Sequence, residues 1–286
     1  MKDLKTLRLE AKVPADHAEI AQYLLISHGS GAAVEKQEKN GKDVTVLAHF
    51  DPDEKSEDSL RIEMTRAFDA FPGLRGAEIT VEREQVRDYD ELCKQHFAPF
   101  EIAKGIVVVP SWEKYEPRPG DRVIELDPGM AFGTGLHETT RLCAEAIESC
   151  ARDSRSMLDT GTGSGILAIE ARLLGVKRIC AVENDPDARE AARENFRKNS
   201  CADVEIIEDI GEAPGPFDLV VANILLSTLL DLRNVLAKLV SKRGTLVLSG
   251  ITHDQEGEIT AAYSGEFKGC ETRRRGEWST IIFRRQ

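Results

Sequence analysis

Residues Met157 to Leu167 read MLDTGTGSGIL, an apolar strand that ends in a glycine-rich turn and opens a helix. Glycines let the backbone approach a ligand closely, and the first turn of a helix offers free N–H groups to that ligand. The dinucleotide fingerprint GxGxxG requires a third glycine at position 166, where this chain has Ile166. The stretch therefore has the form GxGxG, which predicts a cofactor pocket at this turn without the fingerprint of a nicotinamide-binding fold.

A second mark of a nucleoside pocket is Glu183, which follows the next apolar run roughly twenty residues after the turn. An acidic side chain at that place can accept hydrogen bonds from both ribose hydroxyls of a bound nucleoside. An acidic residue at a strand end is also compatible with a surface position or a helix cap, so neither mark is specific alone. Together, at this spacing, they favour a cofactor that contains a nucleoside.

The pattern on both sides of the glycine turn alternates between apolar strands and amphipathic helices. Such alternation predicts an α/β fold, a mostly parallel Rossmann-like sheet doubly wound by helices, with ligands at the carboxyl ends of the strands. The predicted strands are Ser156–Asp159, Arg178–Glu183, Val204–Glu208, Phe217–Ala222 and Thr245–Gly250, and the predicted helices are Ile166–Leu174, Pro186–Lys198 and Leu226–Leu239.

The first 84 residues have a different pattern, in which two strand–helix halves are joined by a hairpin. Asn40-Gly41 favours a tight turn between the two middle strands. The predicted strands are Thr6–Val13, Ala32–Glu38, Asp43–Phe50 and Glu78–Arg83, and the predicted helices are Ala15–His28 and Ser56–Phe71. This βαββαβ order predicts a small α+β, ferredoxin-like domain over residues 1–84.

Residues 85–104 are interpreted as a linker helix and a connection, because the charged stretch VRDYDELCKQHF carries Leu92 and His96 on one side. Strands at Ile106–Val109 and Arg122–Leu126 follow, separated by a proline-rich turn. We therefore expect a third region, residues 105–286, to form the larger domain.

Composition narrows the classes of protein that fit. The net charge of -12 argues against direct nucleic-acid binding, which needs a basic face. The local basic exceptions are Arg273–Arg275 and Arg284–Arg285, which are interpreted as solvated edge residues of the last strands. The six cysteines form no CxxC pair, so neither a metal site nor a disulfide framework is expected. A reducing, cytoplasmic location is therefore expected. No apolar run approaches the ~20 residues that span a bilayer, so no membrane association is expected.

The stretch from Leu126 to Thr140 reads LDPGMAFGTGLHETT. On this stretch the chain resembles the ribosomal protein L11 methyltransferase (PrmA) family, among the methyltransferases with the seven-strand S-adenosylmethionine-binding fold. The resemblance continues through FAPF at 97–100, PSW at 110–112, GTGSG at 161–165, ANIL at 222–225 and LSGI at 248–251. It implies a doubly wound, seven-stranded methyltransferase domain preceded by the ferredoxin-like domain, which would recognise the substrate.

The resemblance further implies S-adenosylmethionine as cofactor, S-adenosylhomocysteine as product and ribosomal protein L11 as protein substrate. Phe132 would close over the methionine end, since an aromatic face attracts a sulfonium cation. Asn223 would also position the acceptor amine and is the one residue given a part in catalysis. The expected cofactor-binding residues are Phe132, Thr140, Gly161, Gly163, Glu183, Asp209 and Asn223.

Each of these residues also has an interpretation in which it serves the fold and does not bind a ligand. Phe132 is also compatible with a core position, Thr140 with a helix face and Asn223 with a turn. His137 is expected to make a local hydrogen bond rather than to act as a base. The family commonly has Asp at the ribose position, where this chain has Glu183; a carboxylate in either residue preserves the chemistry.

Three other functions remain open at this point. The nearest is a methyltransferase of the same fold that acts on another protein lysine or on a small molecule. The second is a non-catalytic cofactor-binding interaction protein. The third, a nicotinamide-dependent oxidoreductase, is disfavoured by Ile166.

Overall fold

The computed structural model describes residues 4–30, 33–37, 42–52, 55–86, 98–127 and 135–285. The described part of the first 97 residues forms a compact unit around one antiparallel sheet in the order β2-β3-β1-β4. Its elements are β1 (Leu4–Pro14), α1 (Ala18–Ser27), β2 (Ala33–Gln37), β3 (Asp43–Phe50), α2 (Glu57–Asp69) and β4 (Glu78–Val86). The βαββαβ order and this strand order are those of a ferredoxin-like domain, as the sequence predicted.

Helix α2 shows why this unit folds as it does. Ser56 caps its N-terminus by accepting the Ser59 N–H, and the Ser59 side chain accepts the Ser56 N–H in return. Leu60, Met64 and Phe68 follow at intervals of four, and all three are buried. The helix thus presents one apolar stripe, which covers the sheet.

A three-stranded sheet precedes the glycine-rich region. It consists of β5 (Phe100–Ala103), β6 (Ile106–Val109) and β7 (Arg122–Glu125), with β5 antiparallel and β7 parallel to β6. Strand β5 lies inside the segment 85–104 that the sequence analysis treated as linker and connection. The linker helix expected before it falls on residues 87–97, which lie outside the described residues.

The main sheet has seven strands in the order β10-β9-β8-β11-β12-β14-β13. The strands from β10 to β12 in this order are parallel, and β14 runs antiparallel to both of its neighbours. The strands are β8 (Ser156–Thr160), β9 (Arg178–Val182), β10 (Glu205–Ile207), β11 (Phe217–Asn223), β12 (Val240–Thr252), β13 (Phe267–Arg275) and β14 (Trp278–Arg285). This sheet confirms the prediction of a doubly wound, seven-stranded α/β domain.

Helices cover both faces of the main sheet. All five residues of β8 are buried, as expected for a central parallel strand covered on both sides. The helices are α3 (Glu138–Cys150), α4 (Ile166–Leu173), α5 (Pro186–Lys198), α6 (Leu226–Asp231), α7 (Arg233–Leu239) and α8 (Glu256–Tyr263). One apolar cluster joins α6, α7 and α8 to one face of the sheet, and α3 contacts β11, β12 and β14.

The secondary structure differs from the sequence expectation in two helical regions. The sequence predicted a single helix over Leu226–Leu239. The structure has two helices that meet at Leu232, where ψ is -1° and not the value of about -42° that is typical of an α-helix. Helices α3 and α8 were not predicted. Eight of the thirteen α3 residues are buried, and the partly exposed Glu138, Arg141, Glu145 and Glu148 follow helical spacing on the other face, so the amphipathic pattern is present in the sequence and was overlooked.

Arg273–Arg275 lie on the edge strand β13, as expected, whereas Arg284 and Arg285 lie on β14, which pairs with a strand on each side and is not an edge. Arg274 pairs with Glu256 at 2.6 Å and Arg275 with Glu145 at 2.6 Å. Charged side chains on an edge strand discourage pairing with another chain. Within the described ranges, no helix is long and apolar enough to cross a membrane.

Glu170 is an ionisable residue in the core of this domain. It lies in α4 with 0% of its surface exposed, and neither carboxylate oxygen has a hydrogen-bond partner among the described residues. Burial, and to a smaller extent the charge of Glu148, raises the pKa of Glu170 well above its usual range. The neutral acid is therefore the form that the core favours.

We expect Glu170 to make stability depend on pH. An unfolded glutamate loses its proton near pH ~4.3, whereas the folded protein keeps Glu170 protonated to higher pH. The unfolded state then binds fewer protons, so the free energy of unfolding falls as the pH rises through this window. In Glu170→Gln the fall between about pH 5 and 8 should be smaller by about 1 kcal/mol or more. Urea unfolding across this pH range measures the difference.

The matched control is Glu258→Gln, since Glu258 is an exposed glutamate in helix α8. It should keep the wild-type pH dependence. Equal slopes in wild type and Glu170→Gln would show that the pKa of Glu170 is not raised.

Candidate active site

The glycine turn lies where the order of the parallel strands reverses. Strands β9 and β10 extend from β8 in one direction, and β11 and β12 extend in the other. Connections to the two sides diverge at such a switch point and leave a crevice at the carboxyl ends of the strands. The turn, residues 161–165, occupies that crevice between β8 and α4.

Backbone hydrogen bonds hold the turn against the end of β9. The N–H groups of Gly161 and Thr162 donate to the Val182 carbonyl at 2.9 and 3.0 Å. The Gly163 N–H donates to Glu183 Oε2 at 2.9 Å. Gly161 has φ +69°, in the left-handed region that favours glycine.

Glu183 directly follows β9 and is 9% exposed. Its second oxygen, Oε1, accepts the Asp185 N–H at 3.2 Å. Two backbone donors therefore fix the carboxylate. Because an ionised carboxylate has about four lone-pair sites, each oxygen can accept a further hydrogen bond.

Asp159 was quoted in the glycine-rich stretch but was not given a role. It is 1% exposed, and its Oδ2 accepts the Thr162 hydroxyl at 2.6 Å. Burial raises the pKa of Asp159 to about 6; the Thr162 hydrogen bond lowers it, and the charge of Glu183 raises it. The acidic residue before the glycine turn was the available sequence signal, since buried carboxylates beside a second carboxylate mark functional sites.

Thr140 and Asn223 are buried polar residues near the other side of the turn. Thr140 lies in α3 with 1% exposure, and Asn223 ends β11 with 7% exposure. Within the described part of the chain, neither Thr140 Oγ1 nor Asn223 Oδ1 has a hydrogen-bond partner. A buried polar atom without a partner costs about 1–3 kcal/mol, so these two atoms are suited to bind a ligand.

Ser249 is a common neighbour of the segments that carry Thr140 and Asn223. It is the parallel partner of Asn223 in the β11–β12 register, and its hydroxyl lies 3.5 Å from the carbonyl oxygen of Thr139, the residue before Thr140. The start of α3 thus lies beside the carboxyl ends of β11 and β12. The motif LSGI contains Ser249 but carries no local signal of this contact, because Thr139 is far from it in the sequence.

Asp209 lies on the β9 side of the turn. It follows β10, whose Ile207 carbonyl accepts the Glu183 N–H at 3.0 Å. Its side chain is exposed and accepts the Gly211 N–H at 2.8 Å. The sheet therefore places Asp209, Glu183, Gly161 and Asn223 at the ends of four consecutive strands, and the cofactor role of each remains a prediction. Phe132 lies outside the described residues.

His137 makes local contacts, as predicted. Its Nδ1 lies 2.8 Å from Thr139 Oγ1 and accepts the Thr139 N–H at 3.2 Å, which caps α3. The ring also packs edge-on against Trp278, with 5.0 Å between centroids. Among the residues that the structure describes, no group of three or more His, Cys, Asp or Glu is placed to hold a metal ion.

The seven-strand order with an antiparallel β14, and a glycine turn after the strand at the switch point, define a doubly wound methyltransferase domain. The family model described as "Ribosomal protein L11 methyltransferase (PrmA)" matches residues 8–286, and the chain belongs to this family. The resemblance based on LDPGMAFGTGLHETT is therefore confirmed, and the protein is a methyltransferase.

Individual relatives agree with the family match. A protein of Pelobacter propionicus named ribosomal protein L11 methyltransferase is 38% identical over 300 residues, which cover 98% of this chain and 97% of the relative. A protein of the same name from Geobacter metallireducens is 38% identical and covers 92% of each chain. The crystal structure of a ribosomal protein L11 methylase from Lactobacillus delbrueckii subsp. bulgaricus aligns with a TM-score of 0.63 at 34% identity, over 66% of this chain and 100% of that one.

The hydrogen bond from Thr162 to Asp159 can be tested by itself. A hydroxyl that donates to a carboxylate stabilises its charged form, so Thr162→Val should raise the pKa of Asp159 from about 6 by about 1 pH unit. The pH titration of the Asp159 carboxyl carbon by NMR measures this change.

Thr160→Val is the control for that titration, because Thr160 is also buried but its hydroxyl has no partner among the described residues. The pKa of Asp159 should stay at its wild-type value in this variant. If both variants moved the pKa equally, the Thr162 hydrogen bond would not be the cause.

Proposed function

We propose that the protein transfers methyl groups from S-adenosylmethionine to amines of ribosomal protein L11, at lysine side chains, the N-terminal amine or both, and releases S-adenosylhomocysteine. The family match supports methyl transfer, and the names of the relatives suggest the protein substrate. The observation that carries the proposal is the carboxyl edge of the main sheet. There, a glycine turn, a fixed carboxylate and two buried polar atoms that have no partner among the described residues lie on neighbouring elements.

The residues present fit the cofactor. Glu183 accepts the ribose hydroxyls with the lone pairs that its backbone donors leave available. Gly161 and Gly163 let the backbone approach the cofactor closely. Thr140 binds the carboxylate or amine of the methionine end, and Asp209 reaches the adenine amino group. Phe132 contributes an aromatic face for the sulfonium.

When bound, the cofactor would supply a methyl group on a sulfonium sulfur; a neutral nitrogen can bond to that methyl carbon as the carbon–sulfur bond breaks, with S-adenosylhomocysteine as the leaving group. Asn223 accepts a hydrogen bond from the acceptor amine with its Oδ1, which has no partner among the residues that the structure describes, and so points the nitrogen lone pair at the methyl carbon. Fixing the two reacting atoms in this way replaces a bimolecular encounter with a step between held groups. Asn223 is therefore the residue with the direct part in catalysis.

The acceptor amine must lose a proton before it reacts. For a lysine with a pKa of ~10.4 this costs about 4–5 kcal/mol at pH 7, and less where apolar surroundings lower that pKa. We assign no dedicated base, since His137 is engaged with Thr139 and Asp159 with Thr162. Desolvation and positioning carry the step, and water takes the proton.

The ferredoxin-like domain, residues 1–84, recognises the protein substrate, and residues 85–104 connect it to the methyltransferase domain, residues 105–286. The separate compact units of the fold support this division of labour. We place the activity in the cytoplasm, where the reducing conditions suit the five described cysteines, all of which are free thiols.

The first test is intact-mass analysis of ribosomal protein L11 after incubation with the enzyme and S-adenosylmethionine. We expect successive methyl increments with the wild type. Glu183→Ala should weaken cofactor binding about 100-fold, because two hydrogen bonds to a charged group are lost, and should suppress the increments at low cofactor concentration. Calorimetric titration with S-adenosylhomocysteine measures the affinity.

Glu205→Ala is the matched control, since Glu205 is an exposed glutamate on the adjacent strand β10. It should behave as the wild type in both measurements. Cofactor binding without any increment on L11 would favour a different protein lysine or a small molecule as acceptor. Cofactor binding without turnover on any acceptor would favour a non-catalytic binding protein.

A truncated chain of residues 97–286 tests the role assigned to the first domain. It retains the whole main sheet, so we expect cofactor affinity close to that of the full chain. Methylation of intact L11 should fall by at least about 100-fold, because the recognition surface that holds the substrate is lost. Circular dichroism and cofactor titration establish that the truncated protein is folded. Full activity of this fragment on L11 would overturn the recognition role.

A further inference from the structure

Strand β12 changes register beside Asn223. Leu248 pairs with Ile281 of β14 and Ile251 pairs with Ser279, so three steps along β12 correspond to two along β14. Ser249 and Gly250 therefore form a β-bulge. Bulges bend a strand and redirect its side chains, and they are common beside active sites.

Gly250 in this bulge directly contacts the segment after Asn223. Its φ is +83°, and a β-carbon built on it would clash with the Ile224 carbonyl oxygen and lie 2.9 Å from the Ile224 carbonyl carbon and 3.1 Å from its nitrogen. These neighbours are backbone atoms, which cannot rotate away as the end of a flexible side chain can. Any residue other than glycine here must displace the Ile224 backbone.

A second glycine approaches Ile224 from the cofactor turn. A β-carbon built on Gly161, with φ +69°, would lie 2.5 Å from Ile224 Cγ2. Ile224 thus contacts two glycines, one from the turn after β8 and one from the bulge in β12. It directly follows Asn223 and precedes the start of α6 by two residues, so little chain is available to absorb a displacement.

We propose that Gly250 is a positioning residue for methyl transfer: its missing side chain lets the Ile224 backbone pack against β12, and this contact sets the direction in which Asn223 presents its Oδ1 to the acceptor amine. The inference rests on the proposed role of Asn223. It assigns to the bulge in β12 a part in turnover that is separate from binding of the nucleoside, because Glu183 and Asp209 lie on the opposite side of β8.

Gly250→Ala tests the proposal in the full-length enzyme. A displacement of Asn223 misaligns the amine and leaves Glu183 and Asp209, which hold the nucleoside, in place, so kcat for L11 methylation should fall about 100-fold. The Kd for S-adenosylhomocysteine and the KM for L11 should stay within about threefold of wild type. A general loss of structure would instead weaken binding and turnover together.

Gly175→Ala is the matched control. Gly175 has φ +103° in the same unit, and a β-carbon built there has no atom within 4 Å. The two variants therefore share the backbone cost of a left-handed alanine, and only Gly250→Ala has the clash. Equal kcat in the two variants, with wild-type methylation of L11 established, would overturn the inference and leave the proposed function intact.

Second-site changes at Ile224 give an independent test. Gly161→Ala clashes with the Ile224 side chain, so adding Ile224→Ala should restore part of the lost kcat at saturating cofactor, while the backbone cost of a left-handed alanine remains. Gly250→Ala clashes with the Ile224 backbone, so adding Ile224→Ala should restore nothing. Rescue of both variants, or of neither, would contradict the contacts that the inference requires.

A readout that needs no turnover separates this inference from the proposed function. Gly250→Ala should speed amide hydrogen exchange in residues 223–225 relative to both wild type and Gly175→Ala, because the packing of that segment is lost. If the wild type failed to methylate L11, the proposed function would fall, and unchanged exchange in Gly250→Ala would overturn the positioning role separately.

Discussion

The hydrogen bonds that join the glycine turn to the end of β9 fix the geometry on which the rest of the site depends. The Val182 carbonyl accepts two N–H groups of the turn, and the Glu183 carboxylate accepts a third. Glycines lose more conformational entropy on folding than other residues, so a turn rich in them needs such bonds to hold one shape. The same bonds orient Glu183, so the turn and the carboxylate that we propose to bind the nucleoside are fixed together at the switch point of the sheet.

Local patterns predicted this part of the fold well. The strand–turn–helix at GTGSG, the acidic residue at the next strand end and the alternation of strands and helices are each encoded within a few neighbouring residues. Patterns failed where local sequence does not carry the information. The apolar periodicity of Leu226–Leu239 continues through Leu232, so it could not reveal the break between α6 and α7. Helix α3 differs from this case, because Glu138, Arg141, Glu145 and Glu148 mark its polar face with helical spacing and the pattern was overlooked.

The candidate site likewise contains some residues that local patterns predict and others whose surroundings depend on long-range contacts. The positions of Glu183 and Gly161 at strand ends were predictable because each position depends on the element that carries the residue, and their roles in cofactor binding remain predictions. Asp159 acquires its raised pKa from burial and from the charge of Glu183, which comes from the next strand. A glycine inside a strand such as Gly250 suggests a bulge or a close approach, but its partner Ile224 belongs to a different strand connection. Long-range contacts of this kind follow from the sheet topology and are not contained in either segment alone.

The polar atoms at this edge also show how the protein tolerates an energetically unfavourable site. Thr140 and Asn223 each bury an atom with no partner among the described residues, at a cost of about 1–3 kcal/mol apiece. Asp159 and Glu183 add mutual repulsion, which contributes to the raised pKa of Asp159. A ligand that carries positive charge and hydrogen-bonding groups relieves both costs at once, whereas water at an open edge relieves them only in part. The buried apolar strands supply the stability that permits this arrangement, and the polar residues at their ends remain available for binding and catalysis.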